Sequence, residues 1–383
     1  MTRKLYYEDS HLSHFESRVT GCEQTEKGWE VTLEATAFYP EGGGQACDLG
    51  TLNGIAVTDE QEKGEEVVHY CAAPLETGAA VEGIIDYGRR FDLMQQHTGE
   101  HIVSGIIHRR FGYHNVGFHM GENFIEIDFD GRVPASELES IEREANKALW
   151  KNIPVKCWYP TQEELPHVFY RTKKALPWPV RVVEMAGYDS CACCGTHLKT
   201  TGEVGIIKLF TETALRGGSR IEMACGSRAL KMLNLIYEQN TLVSQAFSAK
   251  IFETGVAAKR MNEALAAEKF KVTALQRKLF RLTAESYADQ ENVLHMEEDL
   301  EPVQVRELAD AIAHRCSGRT AVFSGNDENG YSYCLVSRRE DLRELVKTMN
   351  QSLSGRGGGK PGFQQGSLRC TRAEIESFFK GNI

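Results

Sequence analysis

Residues 97–101 read HTGEH, and a matching stretch, CCGTH, follows at residues 193–197. A helix turns once every ~3.6 residues, so His97 and His101 are expected to project from the same helical face. Cys193 and His197 have the same spacing and can complete a tetrahedral site. Because neutral imidazole and thiolate are ligands that Zn²⁺ prefers, these four residues predict a site for one zinc ion per chain.

Two alternatives stay open from these residues. Cys191 and Cys194 lie beside Cys193 and are also candidate thiolate ligands. The first motif also resembles HExxH of the metalloproteases, in which the glutamate directly follows the first histidine. Here Thr98 holds that position and Glu100 directly precedes the second histidine, so peptide hydrolysis of the usual kind is disfavoured.

Composition narrows the class of protein. A chain of 383 residues predicts two or three domains, and no apolar run is long enough for a transmembrane helix. Eleven cysteines without a secretion signal favour a reducing cytoplasm and metal binding over a disulfide framework. The net charge of −10 argues mildly against nucleic acid, although it does not exclude a local basic face.

The fold class predicted for the chain is α+β. Residues 1–90 are expected to form a small β-barrel, because short alternating strands such as residues 30–35 and 81–86 are separated by turn-forming residues. Residues 91–228 are expected to form an α+β region. In it, a helix over 92–111 carries both histidines of the first motif, and a strand over 122–129 follows it.

Residues 229–290 are predicted to form a helical linker, since glycine and proline almost disappear there. Leu265, Val272 and Leu279 repeat every seven residues, as do Leu275 and Leu282. This seam suits either an intramolecular hairpin or an intermolecular coiled coil, so monomer and homodimer both remain open. Residues 291–383 are predicted to be an α/β unit in which a glycine-rich loop follows a helix over 341–350.

A third motif precedes the histidines, where residues 36–45 read TAFYPEGGGQ. Consecutive glycines allow positive φ and a close approach to a ligand. Taken in order, FYPEGGGQ, QQHTGEH, CCGTH and TGEVG resemble the editing domain of alanyl-tRNA synthetase and its freestanding AlaX-type relatives. SGRGGGKP at residues 354–361, followed by FQQG, resembles the glycine-rich signature of the DHH-associated domain. The resemblance covers essentially the whole chain and follows the domain order of the long form of these editors.

The resemblance implies a zinc-dependent hydrolase that acts in trans on the ester of tRNA(Ala) mischarged with serine, or with glycine. A synthetase cavity sized for alanine cannot strongly reject a side chain that adds one hydroxyl, so a second site must remove the error. By resemblance, Thr36 selects the serine hydroxyl and Gln45 holds substrate or water. Glu100 is expected to be a base or a partner of the zinc ligands. The backbone expected to approach the ribose or the developing oxyanion is that of Gly42, Gly43 and Gly44.

The same resemblance implies that the C-terminal domain holds the elbow of tRNA in the cytoplasm. The residues expected to meet the tRNA backbone are Arg216, Arg356, Gly357, Gly358 and Lys360. Two other functions remain open. One is a deacylase for a different mischarged tRNA, and the other is a non-catalytic, zinc-containing tRNA-binding protein.

Two features of the zinc motif bear on its chemistry. The family reads Cys-Gly-Gly-Thr-His where this chain has Cys194 in place of the first glycine. If that position needs positive φ, the cysteine costs roughly 1 kcal/mol. A catalytic zinc site keeps one coordination position open. Four protein ligands therefore leave open whether zinc only orients the substrate or also activates water or the ester carbonyl.

Overall fold

A computed structural model describes residues 1–172, 176 and 178–380 of the chain. They divide into two compact units, Met1–Leu242 and Val243–Ile383. The last three residues of the C-terminal domain predicted at 291–383 lie outside the described residues. The finer division at residues 90, 228 and 290 stays a prediction. Within the described part of the chain, no helix is both long and apolar enough to cross a membrane.

The described residues of the first unit form fifteen strands, and the unit begins with a barrel. The strands are β1 (Arg3–Lys4), β2 (His14–Thr25), β3 (Gly28–Leu33), β4 (Ala35–Thr36), β5 (Gly50–Leu52), β6 (Ile55–Lys63), β7 (Glu66–Cys71), β8 (Ala80–Ile85), β9 (Asn115–Met120), β10 (Ile125–Phe129), β11 (Val155–Trp158), β12 (Val182–Met185), β13 (Asp189–Ala192), β14 (Ile207–Leu215) and β15 (Gly218–Cys225). Six of them close into a barrel in the order β2-β3-β7-β6-β5-β8, in the region where the sequence predicts one. Alternate residues of these strands, such as Val31 and Leu33, are buried, because side chains of a strand point alternately to its two faces.

Helix α1 (Tyr87–Phe111) is the central element of this unit. Its first turn is capped by the Asp86 side chain, which accepts a hydrogen bond from the Arg89 N–H at 3.1 Å. The cap explains why the helix begins five residues earlier than the predicted residue 92. The helix ends at Gly112, which has a left-handed φ of 75°. Nearly all of its middle is buried, so both histidines of the first motif lie in the interior.

Two further sheets and a helix surround α1. One sheet has the order β14-β15-β10-β9 and the other the order β11-β12-β13. Helix α2 (Leu138–Trp150) packs against α1 and β14, and helix α3 (Gly226–Ala246) follows β15. The shared core contains Ile102 and Ile106 from α1 with Ile127 and Met223 from the sheet. These elements confirm the mixed α+β class.

The second unit is built on one five-stranded sheet. Its elements are α4 (Thr254–Glu285), β16 (Val293–Glu297), α5 (Pro302–Ala313), β17 (Arg319–Asn326), β18 (Gly330–Ser337), α6 (Arg343–Ser352), β19 (Arg356–Lys360), β20 (Phe363–Leu368) and α7 (Arg372–Lys380). The strand order is β16-β17-β18-β20-β19, with only the β16–β17 pair parallel. One core joins the sheet to α5 and the end of α4, and the other joins it to α6 and α7.

One secondary-structure prediction in this unit is wrong. The glycine-rich segment expected to be a loop is the edge strand β19, which is exposed and pairs antiparallel with β20. Glycine weakens a strand because it lacks a side chain to pack, so the local sequence gives no strand signal here. The hydrogen-bonded ladder to β20 overrides that local preference. Gly357 faces Gly366 across it, where a Cβ on Gly357 would lie 2.2 Å from the Gln365 carbonyl oxygen.

Candidate metal centre and adjoining cavity

The four predicted metal ligands meet at one point. The ligand atoms of His97, His101, Cys193 and His197 all lie within 4.8 Å of one another. Cys193 Sγ is 3.4 Å from Nε2 of His97 and 3.4 Å from Nε2 of His197. Zinc–sulfur and zinc–nitrogen bonds of about 2.3 and 2.05 Å at a tetrahedral angle would separate sulfur from nitrogen by about 3.6 Å. The residues therefore fit a single zinc-sized ion.

Gln45 fixes the orientation of His97. Its Oε1 accepts hydrogen bonds from the Thr196 N–H at 3.2 Å and from His97 Nδ1 at 2.8 Å, and its Nε2 donates to Thr196 Oγ1 at 2.7 Å. The proton on His97 therefore sits on Nδ1, which leaves Nε2 free for a metal. Gln45 is wholly buried, and its hydrogen bond acts on the candidate ligand His97.

Asp189 fixes the orientation of His101, as Gln45 fixes that of His97. Its Oδ2 accepts from His101 Nδ1 at 2.8 Å, and Arg171 donates to both of its oxygens at 2.7 and 2.8 Å. Burial of Asp189 opposes its ionisation, but the hydrogen bonds from His101 and Arg171 lower its pKa below the usual value. A carboxylate hydrogen-bonded to a histidine ligand orients the ring and raises its basicity.

The electrostatics of the cluster differ between its members. Burial opposes a charge on His101, but its hydrogen bonds to Asp189 and Cys193 raise its pKa well above the usual value. Burial opposes ionisation of Cys193, but the adjacent His97 and His197, with hydrogen bonds from His101 and His197, lower its thiol pKa well below 9. Burial lowers the pKa of His197 to about 3, so its ring is neutral. The Nδ1 atom of His197 is buried, and no hydrogen-bond partner for it is found among the residues that the structure describes. The packing therefore directs Nε2 of His197 into the cluster, although this leaves Nδ1 without a hydrogen bond.

The local backbone explains why the second motif reads as it does. A Cβ on Gly195 would lie 2.2 Å from Cε1 of His97, so only glycine allows the loop to pass this ring. The backbone of Cys194 is not in the left-handed region, so the strain considered for this substitution does not arise. Cys193 belongs to the four-residue cluster, whereas Cys191 groups only with His101 and Asp189.

A cavity of about 790 Å³ adjoins the cluster. Its volume is within the range of sites for small ligands. Part of the wall is apolar. The rest carries three of the four candidate metal ligands, two arginines and a single acidic side chain among the described lining residues. The described lining residues are Gly43, Gly44, His97, Glu100, His101, His114, Asn115, Val116, Gly117, Phe118, Arg171, Thr172, Leu176, Pro179, Val180, Arg181, Cys191, Ala192, Cys193 and Cys194. Gly43 and Gly44 have left-handed φ values of 61° and 89°, so this part of the wall requires glycine.

Several predicted site residues lie elsewhere. Thr36 is wholly buried at the end of β4 and does not line the cavity. Its Oγ1 lies 2.8 Å from His69 Nε2 and accepts from the Phe38 N–H at 3.1 Å. Gly42 lies outside the lining set, and Arg216 is exposed in the turn between β14 and β15. Arg356, Gly357, Gly358 and Lys360 form most of the exposed strand β19.

Sequence analysis missed residues that support the cluster. Asp189, Arg171 and Thr196 hold the ligands in place. Arg181 donates to the carbonyl oxygens of Cys193 and Gly195, both at 2.9 Å, and so shapes the ligand loop. Thr196 could have been identified from the sequence, because it lies inside the CCGTH motif. The others carry no local pattern, since they reach the site only after β12 and β13 pair.

Comparisons with known proteins agree with this geometry. Residues 180–222 match the threonyl and alanyl tRNA synthetase second additional domain, and residues 290–380 match the DHHA1 domain. The chain is 26% identical to the alanyl-tRNA editing protein Aarsd1 of Danio rerio, over 97% of this chain and 96% of that protein. It is 28% identical to the alanyl-tRNA editing protein AlaX-L of Pyrococcus horikoshii, over 98% and 96% respectively.

The chain is a homologue of the alanyl-tRNA editing proteins, in the long form of the AlaX type. It is also 33% identical to the alanine–tRNA ligase of Pyrococcus abyssi, over 99% of this chain but only 43% of the ligase. The editing proteins are thus matched over nearly their whole length, and the ligase over less than half of it. The matched segment 180–222 includes β12, β13 and the CCGTH motif, so it coincides with the part of the metal cluster that β13 positions.

Proposed function

We propose that this protein is a trans-editing deacylase, which hydrolyses the ester of tRNA(Ala) mischarged with serine and, secondarily, with glycine. One observation carries the proposal: four ligand atoms of the types that zinc prefers converge on one point, and three of the four residues line a cavity of about 790 Å³. The names of its full-length relatives, which are alanyl-tRNA editing proteins, supply the substrate class.

We propose one zinc ion per chain, held by His97, His101, Cys193 and His197. A zinc ion bound there would polarise the ester carbonyl or lower the pKa of a water molecule. The protein's own part is to hold the ligands in place. Gln45 keeps the proton of His97 on Nδ1, and Asp189 does the same for His101.

The cavity wall is suited to the end of an aminoacylated tRNA. The backbone of Gly43 and Gly44 borders the cavity without side chains, so it can approach the ribose or the oxyanion that develops on the ester. Arg171 and Arg181 line the same cavity and can favour the approach of an anionic nucleotide. Gly42 precedes this wall and closes the turn, because its N–H donates to the Gln45 carbonyl oxygen at 3.0 Å.

Thr36 is proposed to select serine, on the resemblance to the editing family. His69 Nδ1 lies 3.0 Å from the Val31 carbonyl oxygen, so Nδ1 carries the proton and Nε2 accepts the hydroxyl proton of Thr36. The Thr36 oxygen can then only accept a further hydrogen bond, which a serine hydroxyl can donate and an alanine methyl cannot. A site built to bond a hydroxyl discriminates strongly against the analogue that lacks it.

The remaining residues are proposed to contact tRNA outside the cavity. Arg216 lies on an exposed turn, and Arg356 and Lys360 end the exposed strand β19, where they can meet phosphates. Gly357 and Gly358 between them leave the backbone of this edge strand accessible. A cytoplasmic location fits the eleven cysteines, all of which are free.

The test is deacylation of Ser-tRNA(Ala) and Ala-tRNA(Ala) by the purified protein before chelation, after chelation and after zinc is restored. We expect rapid loss of serine that depends on zinc, with alanine spared. A folded, zinc-loaded sample that hydrolyses neither ester would contradict the proposal.

Selection by Thr36 has its own test. Thr36→Val should reduce the preference for Ser-tRNA(Ala) over Ala-tRNA(Ala), because valine keeps the shape and removes the acceptor. Thr58→Val is the control, since Thr58 lies on barrel strand β6 with its hydroxyl bonded to the Tyr70 carbonyl oxygen. An unchanged serine preference in Thr36→Val would show that the Thr36 hydroxyl does not select the substrate.

A further inference from the structure

We propose that Glu100 and Asn115 bind the free α-amino group of the substrate ester and thereby restrict the enzyme to esters of unmodified α-amino acids. This inference rests on the proposed deacylase function. It assigns a subsite within the cavity and gives Glu100 a binding role in place of the base or zinc-ligand partner expected from the sequence.

The first observation is an unsatisfied acceptor in the cavity wall. Asn115 is only 8% exposed and lines the cavity at the start of β9. Its Nδ2 donates to Glu100 Oε1 at 2.6 Å. Because a carboxylate only accepts, this bond fixes the amide orientation and turns Oδ1 away from Glu100. Asn115 Oδ1 is buried, and none of the described residues donates a hydrogen bond to it. A buried acceptor of this kind costs free energy until a donor reaches it.

The second observation is the position of the acidic group. Glu100 is the only carboxylate among the described residues that line the cavity, and it is 5% exposed. Its Oε1 is held by Asn115 and by Ser104, so the side chain cannot swing away. None of the described residues donates a hydrogen bond to Oε2. Glu100 therefore places a carboxylate in the cavity wall, and Asn115 Oδ1 lies beside it as a buried acceptor that none of the described residues satisfies.

The third observation is proximity to the metal ligands. Glu100 directly precedes His101 and follows His97 by three residues, so all three lie on one side of α1 within a single turn. In an amino-acid ester the amino group and the carbonyl group are both attached to the α-carbon. An amino group held by Glu100 and Asn115 therefore brings the ester carbonyl toward the ligand cluster.

The chemistry of the two acceptors identifies the group. An amino group donates hydrogens whether or not it carries a proton, and the Glu100 carboxylate favours the charged form. An N-acyl amino acid keeps one N–H but has lost the charge and gained bulk. An α-hydroxy acid keeps the size but has one donor and no charge. We therefore expect free α-amino esters to be hydrolysed, and α-hydroxy and N-acyl esters to be poor substrates.

The test compares Ser-tRNA(Ala) with its α-hydroxy analogue, made by nitrous acid deamination of the same sample, which replaces the amino group by a hydroxyl and leaves the ester intact. Wild-type, zinc-loaded protein should prefer the amino ester in kcat/KM by roughly 10- to 100-fold, the range for a hydrogen bond to a charged group. This preference should nearly vanish in Glu100→Gln and in Asn115→Leu. Glu163→Gln, an exposed acid outside the cavity, is the matched control and should retain it.

The outcomes separate this inference from the proposed function. Equal hydrolysis of both esters by the wild-type protein would overturn the amino-group subsite and leave the deacylase intact. An undiminished preference in both folded variants would also overturn it. Equal losses on both esters in Glu100→Gln would assign Glu100 to catalysis of the ester step instead. Hydrolysis of neither ester by the wild-type protein would contradict the deacylase function itself. Since the wild-type comparison needs no variant, a variant that fails to fold does not prevent a decision.

Discussion

The barrel and the candidate metal cluster each contain buried histidines, but the ring nitrogens of these histidines have different partners. His69 in the barrel is wholly buried, and both of its ring nitrogens have partners, the Val31 carbonyl oxygen and the Thr36 hydroxyl. His197 is also buried, but its Nδ1 has no partner within the described part of the chain and its Nε2 lies 3.4 Å from Cys193 Sγ. Burial lowers the pKa of both rings, to about 4 for His69 and about 3 for His197.

The difference shows how a structural histidine can be told from a ligand. Burial and a lowered pKa are common to both rings, so neither property distinguishes them. What distinguishes them is where the free electron pair points. In His69 it accepts a hydroxyl proton, whereas Nε2 of His97 and Nε2 of His197 each lie 3.4 Å from the Cys193 sulfur. Changes to the cluster should therefore alter zinc binding, whereas changes at His69 should leave zinc binding intact.

The largest effect is expected from removing the thiolate. Cys193→Ala should abolish stoichiometric zinc and reduce deacylation by more than about 100-fold, because even losing a hydrogen-bonded partner of a ligand costs 10- to 100-fold. Metal analysis after gel filtration measures the zinc content. Cys71→Ala is the matched barrel control, since Cys71 is buried and lies outside the cluster. Full zinc occupancy in Cys193→Ala would show that Cys191 or Cys194 is the true ligand.

Gly195 should respond to added bulk far more than Gly43. Gly195→Ala places a methyl group 2.2 Å from Cε1 of His97, so the ring or the loop must shift. We expect zinc affinity to fall by roughly 10- to 100-fold, with about 1–3 kcal/mol of lost stability from overpacking. Gly43→Ala meets no atom within 4 Å and suffers only from its φ of 61°, at a cost of about 1 kcal/mol. Equal zinc affinity in the two variants would contradict the assigned packing around His97.

Gln45 tests the support behind a ligand. Gln45→Leu removes the acceptor that holds the His97 proton and leaves the Thr196 hydroxyl without its donor. Zinc affinity, measured by competition with a chromogenic chelator, should fall by about 10-fold, the lower end of the range for such partners. Gln24→Leu, an exposed position on β2, supplies the control. Unchanged zinc affinity but lost deacylation would return Gln45 to the substrate-holding role predicted from the sequence.

The candidate metal cluster could be predicted from the sequence because its residues show regular spacing within short segments. His97 and His101 share a face of α1 by helical spacing, and the spacing of Cys193 and His197 is equally plain. The α+β class followed from strands whose apolar residues alternate, as at Val31 and Leu33. In each case the pattern reflects the geometry of a single element, which a sequence displays directly.

The parts that were not predicted depend on contacts between distant segments. Asp189 reaches His101 because β13 lies beside α1, and no spacing in the sequence predicts this contact. Strand β19 forms because its backbone hydrogen-bonds to the backbone of β20. The burial of Thr36 is likewise a property of the closed barrel, so the sequence could suggest a role for its hydroxyl but not that His69 already binds it.

The smallest effect, confined to stability, is expected in the barrel. The folded pKa of His69 is about 4 and its ordinary value is 6.5, so the unfolded chain binds the extra proton first as pH falls. Its stabilising contribution is therefore complete above about pH 6.5 and is lost progressively toward pH 4. Between pH 7 and pH 5 the wild-type protein should lose about 2 kcal/mol more than a variant that cannot titrate there. His69→Gln is that variant, because the glutamine oxygen can accept from Thr36 and its nitrogen can donate to Val31. Urea denaturation of both zinc-loaded proteins at the two pH values gives the difference. A parallel loss of stability in the two proteins would mean that His69 is protonated in the folded barrel, and the distinction between a satisfied structural histidine and a metal ligand would then have to rest on the cluster alone.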